Sequence, residues 1–341
     1  MACSSRQINT MGIKNRRLLK MYTEINKCRV CSSSKLNTVL SLGEQYLTGV
    51  FPKSIDDEIT KGPLELVFCK ECTLLQMKHS YSLDEMYGEN YGYRSGLNSS
   101  MVRHLQQKIR SLEILVKPTN EDLVIDIGSN DGTSLKAFTG KHRKVGIDPT
   151  GGKFKEYYTD DLTLIPDFFS ASAFNTLFPN EKAKIVTSIS MFYDLENPIE
   201  FVTDIESVLA NDGIWHFEQS YMPSMLRMNS YDTICHEHLE FYSLKVVKDI
   251  LERCGLRLVD VQMNAINGGS FAVTACKNTA LYPPNLPVIN WLLKQEEEMG
   301  LGTLDPYEEF QGRVFRHRNN LKELIEVLVA DGKKVIGYGA S

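Results

Sequence analysis

The sequence predicts an α/β protein in which a small cysteine-rich module precedes a sheet of mostly parallel strands. Strand-like and helical segments alternate from residue 99 onward, which is typical of a parallel sheet covered by helices on both faces. Only residues 264–269 separate the last two strand-like segments, and a connection this short excludes a helical crossover. We therefore predict a seven-stranded sheet that ends in an antiparallel strand.

Length and composition exclude several classes of protein. The 341 residues are enough for about two domains of ordinary size. The chain has 38 Lys and Arg residues against 43 Asp and Glu residues, so its net charge of −5 gives no general attraction to nucleic acid or to an anionic membrane. No stretch of about eighteen apolar residues is present, which excludes a transmembrane helix.

The first 27 residues are basic and lack an apolar core. Arg6, Lys14, Arg16, Arg17, Lys20 and Lys27 stand against the single acid Glu24. A secretory signal needs an apolar segment that this stretch does not have. We expect residues 1–27 to form a flexible leader and the protein to be cytoplasmic.

Two Cys-x-x-Cys pairs indicate a metal site. Cys28 and Cys31 form the first pair, and Cys69 and Cys72 form the second. Two residues between thiolates let one turn direct both sulfurs at a tetrahedral ion, and in a cytosolic chain such pairs favour metal over disulfides. We expect a zinc module over residues 28–95. Because four sulfurs would close the coordination shell, this zinc should be structural.

The elements of the sheet domain follow from apolar periodicity and turn residues. Helices are predicted over residues 99–116, from 198 to about 210 and over 244–254. Strands are predicted over residues 123–127, 144–148, 162–165, 184–190, 213–219, 256–263 and 270–277. We expect this domain to span residues 96–280.

The turn after the first of these strands has the residues of a ligand-binding loop. Asp126 stands inside the strand end, Gly128 and Gly132 lie in the turn, and Asp148 closes the next strand. Open α/β sheets bind ligands at the carboxyl ends of their strands, where an acid on the second strand accepts hydrogen bonds from ribose hydroxyls. The G-x-G-x-x-G spacing is absent, so an ordinary βα loop is the alternative interpretation.

This loop, together with the antiparallel last strands, resembles the class I S-adenosylmethionine (SAM) methyltransferase fold. The resemblance implies SAM as the methyl donor, with Asp148 at the ribose and Phe168 beside the adenine. The residues that it places around the donor are Asp126, Gly128, Ser129, Asn130, Gly132, Asp148, Asp167 and Phe168. For Asp167, the alternative is an acid in a solvated loop.

A second polar motif, Cys-His-Glu-His at residues 235–238, lies between the fifth strand and the helix 244–254. A His-x-His metal pair has no third ligand nearby, and the H-E-x-x-H pattern is absent. Either histidine could also be a buried structural residue. Because histidine titrates near neutrality, it is the usual general base, and we expect this motif to be catalytic.

The motifs, taken in order, resemble those of sugar C-methyltransferases. These are the four-cysteine module, residues 91–95 (Tyr-Gly-Tyr-Arg-Ser), the Asp126 turn, the histidines of residues 236–238 and Asn-Gly-Gly-Ser at residues 267–270. The resemblance covers about residue 28 to the end. Enzymes of this family use SAM to methylate a ring carbon, commonly C3, of nucleotide-linked 4-keto-deoxyhexoses.

The resemblance implies a role for each residue of the second motif. His238 is the base, with His236 as the next candidate, and Glu237 binds a sugar hydroxyl or orients the imidazole. Tyr93 is a pocket residue, and Cys235 stands where family members carry tyrosine. A base is needed because a carbon beside a ketone becomes nucleophilic only after its proton is removed to give an enolate.

Residues 281–341 are expected to form a helical linker and the start of a C-terminal α/β domain. An amphipathic helix is predicted from Asp305 to about Asp331, and a strand is predicted from Lys333 toward Gly339. Because relatives continue from this point, we expect the C-terminal domain to be truncated here.

We therefore predict a monomeric C-methyltransferase that acts on C3 of a TDP- or GDP-linked 4-keto-6-deoxy sugar and binds neither nucleic acid nor membrane. Two alternatives stay open. A small-molecule O- or N-methyltransferase would need a base but no keto sugar. A nucleic-acid-binding protein would use the zinc module as a reader, which the net acidity of the chain disfavours.

Overall fold

A computed structural model of the chain describes residues 22–48, 54, 56, 59–87 and 92–337. Residues 1–21 of the expected leader and Tyr91 of the tyrosine-rich motif lie outside the described residues.

Short antiparallel strands joined by the cysteine turns form the N-terminal module. They are β1 (Tyr22–Glu24), β2 (Leu36–Tyr46), β3 (Lys61–Cys69), β4 (Leu75–Met77) and β5 (His79–Tyr81). Strand β1 pairs with β5, and a late strand, β11 (Glu240–Phe241), extends the sheet of β2, β3 and β4. Residues 22–24 thus belong to the fold, which corrects the expectation of a flexible leader over residues 1–27. They are ordered because β5 supplies the antiparallel partner for their backbone.

The central sheet confirms the predicted fold class. Its strands are β6 (Leu123–Ile127), β7 (Arg143–Ile147), β8 (Leu162–Ile165), β9 (Ala183–Ile189), β10 (Leu209–Ser220), β12 (Leu256–Asn264) and β13 (Ser270–Lys277). Among the described residues, the spatial order of the seven strands is β12-β13-β10-β9-β6-β7-β8. Only β13 runs antiparallel to its neighbours β10 and β12, as the short connection over residues 264–269 predicted.

Helices cover this sheet and extend beyond it. They are α1 (Leu83–Met86), α2 (Ser99–Val116), α3 (Thr133–Lys136), α4 (Ala171–Leu177), α5 (Pro198–Val208), α6 (Met222–Met228), α7 (Leu244–Arg253), α8 (Leu286–Glu298) and α9 (Asp305–Ala330). Asn98 caps α2 by accepting from the backbone N–H of Ser100 at 3.0 Å, as expected for a preferred capping residue. Within the described residues, no helix combines the length and the apolar character that crossing a membrane requires.

The module and the sheet domain share one apolar core. A single buried cluster contains Cys28 and Cys69 of the module together with Trp215 and Tyr242 of the sheet domain. Helix α8 adds a polar anchor, since the Glu296 carboxylate accepts from the Leu244 backbone N–H at the start of α7 at 2.6 Å. The expected domain boundary at residue 95 therefore separates segments of sequence that fold against each other.

The C-terminal helix α9 is buried only along its first half. Tyr307 packs on Phe68 of β3 with 4.8 Å between ring centroids, whereas Leu321 and Leu324 are exposed. Residues 333–337 form no strand, which differs from the prediction. No neighbouring strand within the described residues supplies the backbone hydrogen bonds that a strand needs there.

The four predicted metal ligands converge at the junction of the module and the sheet domain. The sulfurs of Cys28, Cys31, Cys69 and Cys72 all lie within 4.8 Å of one another. Cys28 and Cys72 sulfurs are 3.5 Å apart, as are those of Cys31 and Cys69. A tetrahedral zinc ion with bonds of about 2.3 Å would space its sulfurs about 3.8 Å apart, so this cluster fits zinc.

The cysteines of the cluster differ in their tendency to ionise, and burial raises the pKa of Cys69 to about 11. A hydrogen bond from Cys72 lowers the pKa of Cys28 to about 5, while the same interaction raises the pKa of Cys72. Without a metal, thiolates this close destabilise one another, and a divalent ion removes that penalty.

We predict that the chain binds one Zn²⁺ and that Cys31→Ser loses it. Structural zinc contributes about 10–16 kcal/mol of apparent binding free energy in small peptides, so loss of a ligand should lower the melting temperature strongly. Metal analysis and thermal melts measure both effects. Cys254→Ser is the control, because this half-buried thiol lies outside the cluster and should keep full zinc content. Freshly purified protein without zinc would contradict the prediction.

Candidate functional site

A cavity of about 220 Å³ lies at the carboxyl ends of β6, β7 and β9. Asp126, Gly128, Ser129, Asn130 and Asp148 line it, which brings together most of the residues predicted to hold the donor. The position agrees with the rule that open α/β sheets bind ligands at this edge.

The turn after β6 is shaped for close approach of a ligand. Gly128 has a φ of +71°, and a Cβ placed on it would lie 3.2 Å from the Met191 side chain. Asp126 is buried and accepts from the Thr187 hydroxyl at 2.6 Å. Burial raises the pKa of Asp126 to about 7, so this carboxyl is only partly ionised at neutral pH.

Asp148 joins the two loops of the cavity. Its Oδ2 accepts from the Asn130 backbone N–H at 2.7 Å, and its Oδ1 accepts from the Thr150 N–H and hydroxyl, both at 2.6 Å. A carboxylate has room for about four hydrogen bonds, so one acceptor position is left for a ligand hydroxyl. This arrangement fits a ribose.

Hydrogen bonds hold the segment that carries Tyr93 against the turn after β6. The Asn130 side chain accepts from the Ser95 N–H at 2.9 Å and donates to the Tyr93 carbonyl at 3.1 Å. Arg94 stacks on Tyr157 with 4.4 Å from the guanidinium carbon to the ring centroid. Tyr93 thus lines the predicted donor cavity while half of its surface stays exposed.

Two predicted donor residues lie outside the lining. Asp167 is exposed, and its Oδ1 accepts from the Phe168 N–H at 2.7 Å, so the carboxylate caps its own loop. Phe168 and Phe169 line the cavity instead, and Phe169 was missed because its position depends on how the loop folds back. Gly132 supports the turn at a φ of +73° without lining the cavity.

His238 lies in a second, smaller cavity behind residues 190–196. It shares this cavity with Tyr193, Glu240 and residues 267–269, the Asn-Gly-Gly of the predicted motif. Its Nδ1 is 2.8 Å from the Thr233 carbonyl oxygen, and its ring packs 4.2 Å from the Tyr193 ring. Because a carbonyl only accepts, Nδ1 carries a proton in this contact, and Nε2 is the ring nitrogen that it leaves available to a ligand.

His236, the other candidate for the base, points away from both cavities. Its side chain is fully buried against the N-terminal module, with Nε2 3.3 Å from the Gly62 carbonyl and the ring edge-on to Tyr81 at 4.7 Å. Burial lowers the pKa of His236, which keeps the ring neutral. His236 thus lies outside the linings of both cavities, and its side chain anchors the motif to the module.

Cys235 and Glu237, the other two residues of the motif, lie in different environments. Burial raises the pKa of Cys235 to about 12, so its thiol stays protonated and is a weak hydrogen-bond donor. Glu237 is half-buried. The group that contacts the His238 ring through a hydrogen bond is the Thr233 carbonyl, not Glu237.

Asp194 also lines the donor cavity, although no sequence motif points to it. Burial raises the pKa of its carboxyl well above the usual range, and Oδ1 has no hydrogen-bond partner among the described residues. His238, Cys235 and Glu237 act on this carboxyl electrostatically, and Tyr87 forms a hydrogen bond with it. Asp194 thus connects the donor cavity to the histidine motif.

Three family models match successive parts of the chain. A model described as a zinc binding domain matches residues 28–87, and one described as a methyltransferase domain matches residues 101–261. A third, described as a C-methyltransferase C-terminal domain, matches residues 265–341.

The chain is also similar to a characterised relative over most of its length. It is 31% identical to the C-methyltransferase NovU of Streptomyces niveus over 320 residues, which cover 93% of this chain and 76% of the relative.

Two solved methyltransferase structures share less sequence identity with this chain than NovU does. The plantazolicin methyltransferase BpumL in complex with S-adenosylhomocysteine (SAH) is 13% identical, with a TM-score of 0.42 over 54% of this chain and 87% of that chain. The magnesium protoporphyrin IX methyltransferase ChlM from Synechocystis, with bound SAH, is 14% identical, with a TM-score of 0.39 over 53% of this chain and 88% of that chain. At these TM-scores, the likeness adds nothing to the assignment.

The assignment rests on the relative and on the consecutive family models, and the four-cysteine cluster and the class I sheet agree with them. The chain therefore belongs to the SAM-dependent C-methyltransferases that carry an N-terminal zinc-binding domain.

Proposed function

We propose that this enzyme methylates C3 of a TDP- or GDP-linked 4-keto-6-deoxy sugar, with His238 as the base that forms the enolate. The observation that carries the proposal is the hydrogen bond between His238 Nδ1 and the Thr233 carbonyl. The Nδ1–H donates at a distance of 2.8 Å, so Nε2 is free to accept a proton.

The chemistry fits a ketone substrate. His238 Nε2 takes the proton from C3, the C–H electron pair forms the C3–C4 double bond, and the C4 carbonyl oxygen becomes the enolate oxygen. SAM supplies an electrophilic methyl group for the resulting nucleophilic carbon. The protonated Cys235 thiol and the Asp194 carboxyl, whose pKa values are both raised, are the neighbouring groups able to donate a hydrogen bond to that oxygen.

One segment of chain, residues 190–196, separates the His238 cavity from the donor cavity. Met191 and Asp194 face the donor cavity, while Tyr193 between them faces the His238 cavity. Asn267 of the second cavity donates to the Ser190 hydroxyl, which belongs to the donor cavity, at 3.5 Å. His238 is thus separated from the donor cavity by this single segment of chain.

The sugar part of the proposal comes from the resemblance of the motifs. Glu237 is half-buried next to His238, and its acidic side chain suits the hydroxyls of a hexose. The mild overall acidity of the chain gives no general attraction for the diphosphate, so local contacts must hold it.

We predict that Asp148→Ala raises the dissociation constants of SAM and SAH alike by about ten- to a hundredfold. Loss of hydrogen bonds to a charged acceptor costs about 1.5–3 kcal/mol, and both ligands carry the same ribose. Calorimetry measures the two constants. Asp167→Ala is the matched control, because this acid follows the next strand but is exposed outside the cavity. An unchanged constant for Asp148→Ala would place the ribose elsewhere.

We predict that His238→Asn lowers methyl transfer to a 4-keto nucleotide sugar by about 10²–10⁴-fold, because asparagine has a similar shape but no basic nitrogen. The dissociation constant of SAH should stay within about twofold of wild type, since His238 does not line the donor cavity. Product mass and SAH calorimetry provide the readouts.

His236→Asn is the comparison from the same motif. It should lower the melting temperature, because the His236 side chain is fully buried, and it should reduce the turnover of folded enzyme much less than His238→Asn does. Near wild-type turnover by folded His238→Asn protein would remove His238 from the mechanism.

A further inference from the structure

The first zinc-binding turn carries a buried cation. Arg29 lies between Cys28 and Cys31, and its side chain is only 3% exposed. Its Nε donates to Glu196 Oε2 at 3.4 Å and lies 3.7 Å from Glu240 Oε1. Neither glutamate belongs to the zinc module by sequence, so the turn that binds the metal also reaches the sheet domain.

The same guanidinium fastens strands β4 and β5. Arg29 donates to the Met77 carbonyl at 2.6 Å and to the Ser80 hydroxyl at 2.8 Å, while its backbone N–H donates to Gln76 Oε1 at 3.1 Å. Strand β4 is in turn the partner of β11, with Gln76 opposite Glu240. The Arg29 side chain thus contacts both β4, through Met77, and β11, through Glu240.

The two glutamates touched by Arg29 belong to the reaction site. Glu240 follows His238 by two residues and lines the same cavity, and Glu196 lines the donor cavity. The Glu240 carboxyl is fully buried, and neither of its oxygens has a hydrogen-bond partner among the described residues. A carboxyl group without hydrogen-bond partners is costly to bury, and Arg29, 3.7 Å away, is the polar group that lies beside it.

We infer that Arg29 is a positioning residue for the reaction, because it fixes the His238 segment to the zinc turn and to the wall of the donor cavity. The inference rests on the proposed role of His238. It gives the zinc module a task beyond folding, since both cysteine pairs hold elements that contact residues 236–241. The first pair presents Arg29, and the second pair forms the turn between β3 and β4.

The chain offers a matched control. Lys70 occupies the corresponding position in the second cysteine turn, directly after Cys69, and its side chain is exposed. Arg29→Met and Lys70→Met therefore remove one positive charge from equivalent places, and only the first removes contacts with the His238 segment.

The experiment measures amide hydrogen exchange of residues 236–243 by mass spectrometry in both variants, along with zinc content and SAH affinity. The Leu239 N–H donates to the Tyr193 carbonyl at 2.8 Å, so its protection reports whether the segment stays docked. We expect Arg29→Met to exchange at least tenfold faster there, with one zinc per chain and an SAH dissociation constant within threefold of wild type. Its kcat on a 4-keto nucleotide sugar should fall at least tenfold, and Lys70→Met should match wild type in every readout.

Unchanged protection in Arg29→Met would overturn the inference, as would faster exchange with unchanged kcat. Loss of zinc or of SAH binding in Arg29→Met would also overturn it, because Arg29 would then be a general stability residue. If Arg29→Met does not fold, Glu240→Gln tests the link from its other end and should raise exchange of the same segment at least threefold, whereas wild-type protection would reject the inference. Failure of the proposed function is distinguishable, because it appears as wild-type enzyme without turnover on TDP- and GDP-linked 4-keto-6-deoxy sugars.

Discussion

The backbone of Leu239 is hydrogen-bonded on both sides, and the rest of the site depends on this position. Its carbonyl accepts from the Met77 N–H of the zinc module, and its N–H donates to the Tyr193 carbonyl in the wall of the donor cavity, both at 2.8 Å. His238, the adjacent residue, is thereby placed relative to two folding units at once. Any shift of the module against the sheet domain would change the distance between His238 and the donor cavity.

Electrostatics explain why a buried arginine lies where the zinc module meets the histidine motif. Asp194, Glu196 and Glu240 gather around the histidine motif, and burial raises the pKa values of Asp194 and Glu240 well above the usual range. Removing a carboxylate from water is unfavourable unless a counter-charge lies near it. Arg29 lies 3.7 Å from Glu240 and acts against this rise in its pKa, and the four cysteine sulfurs around zinc form the turn from which Arg29 projects.

The sequence was sufficient for the order of the sheet elements, because strand and helix periodicities and the short connection over residues 264–269 are local signals. The cysteine spacing likewise identified all four metal ligands. What sequence could not indicate were contacts made between distant segments. Asp194 joins the donor cavity to the histidine motif, the Thr233 carbonyl accepts a hydrogen bond from His238, and the module buries His236, although the two histidines look equivalent in the sequence. The exposure of Asp167 depends on the path of one loop, which local patterns do not determine.

Hydrogen exchange at C3 of the substrate in D₂O tests the central claim most directly. A TDP- or GDP-linked 4-keto-6-deoxy sugar is incubated with enzyme and SAH, which fills the donor cavity but has no methyl group to transfer, and C3 deuteration is followed by NMR. We predict that wild-type enzyme introduces deuterium at C3 without forming a methylated product, and that His238→Asn does so at no more than about a hundredth of that rate. Exchange by His238→Asn at the wild-type rate, or methylation of a sugar oxygen in the parallel reaction with SAM, would contradict enolate formation by His238.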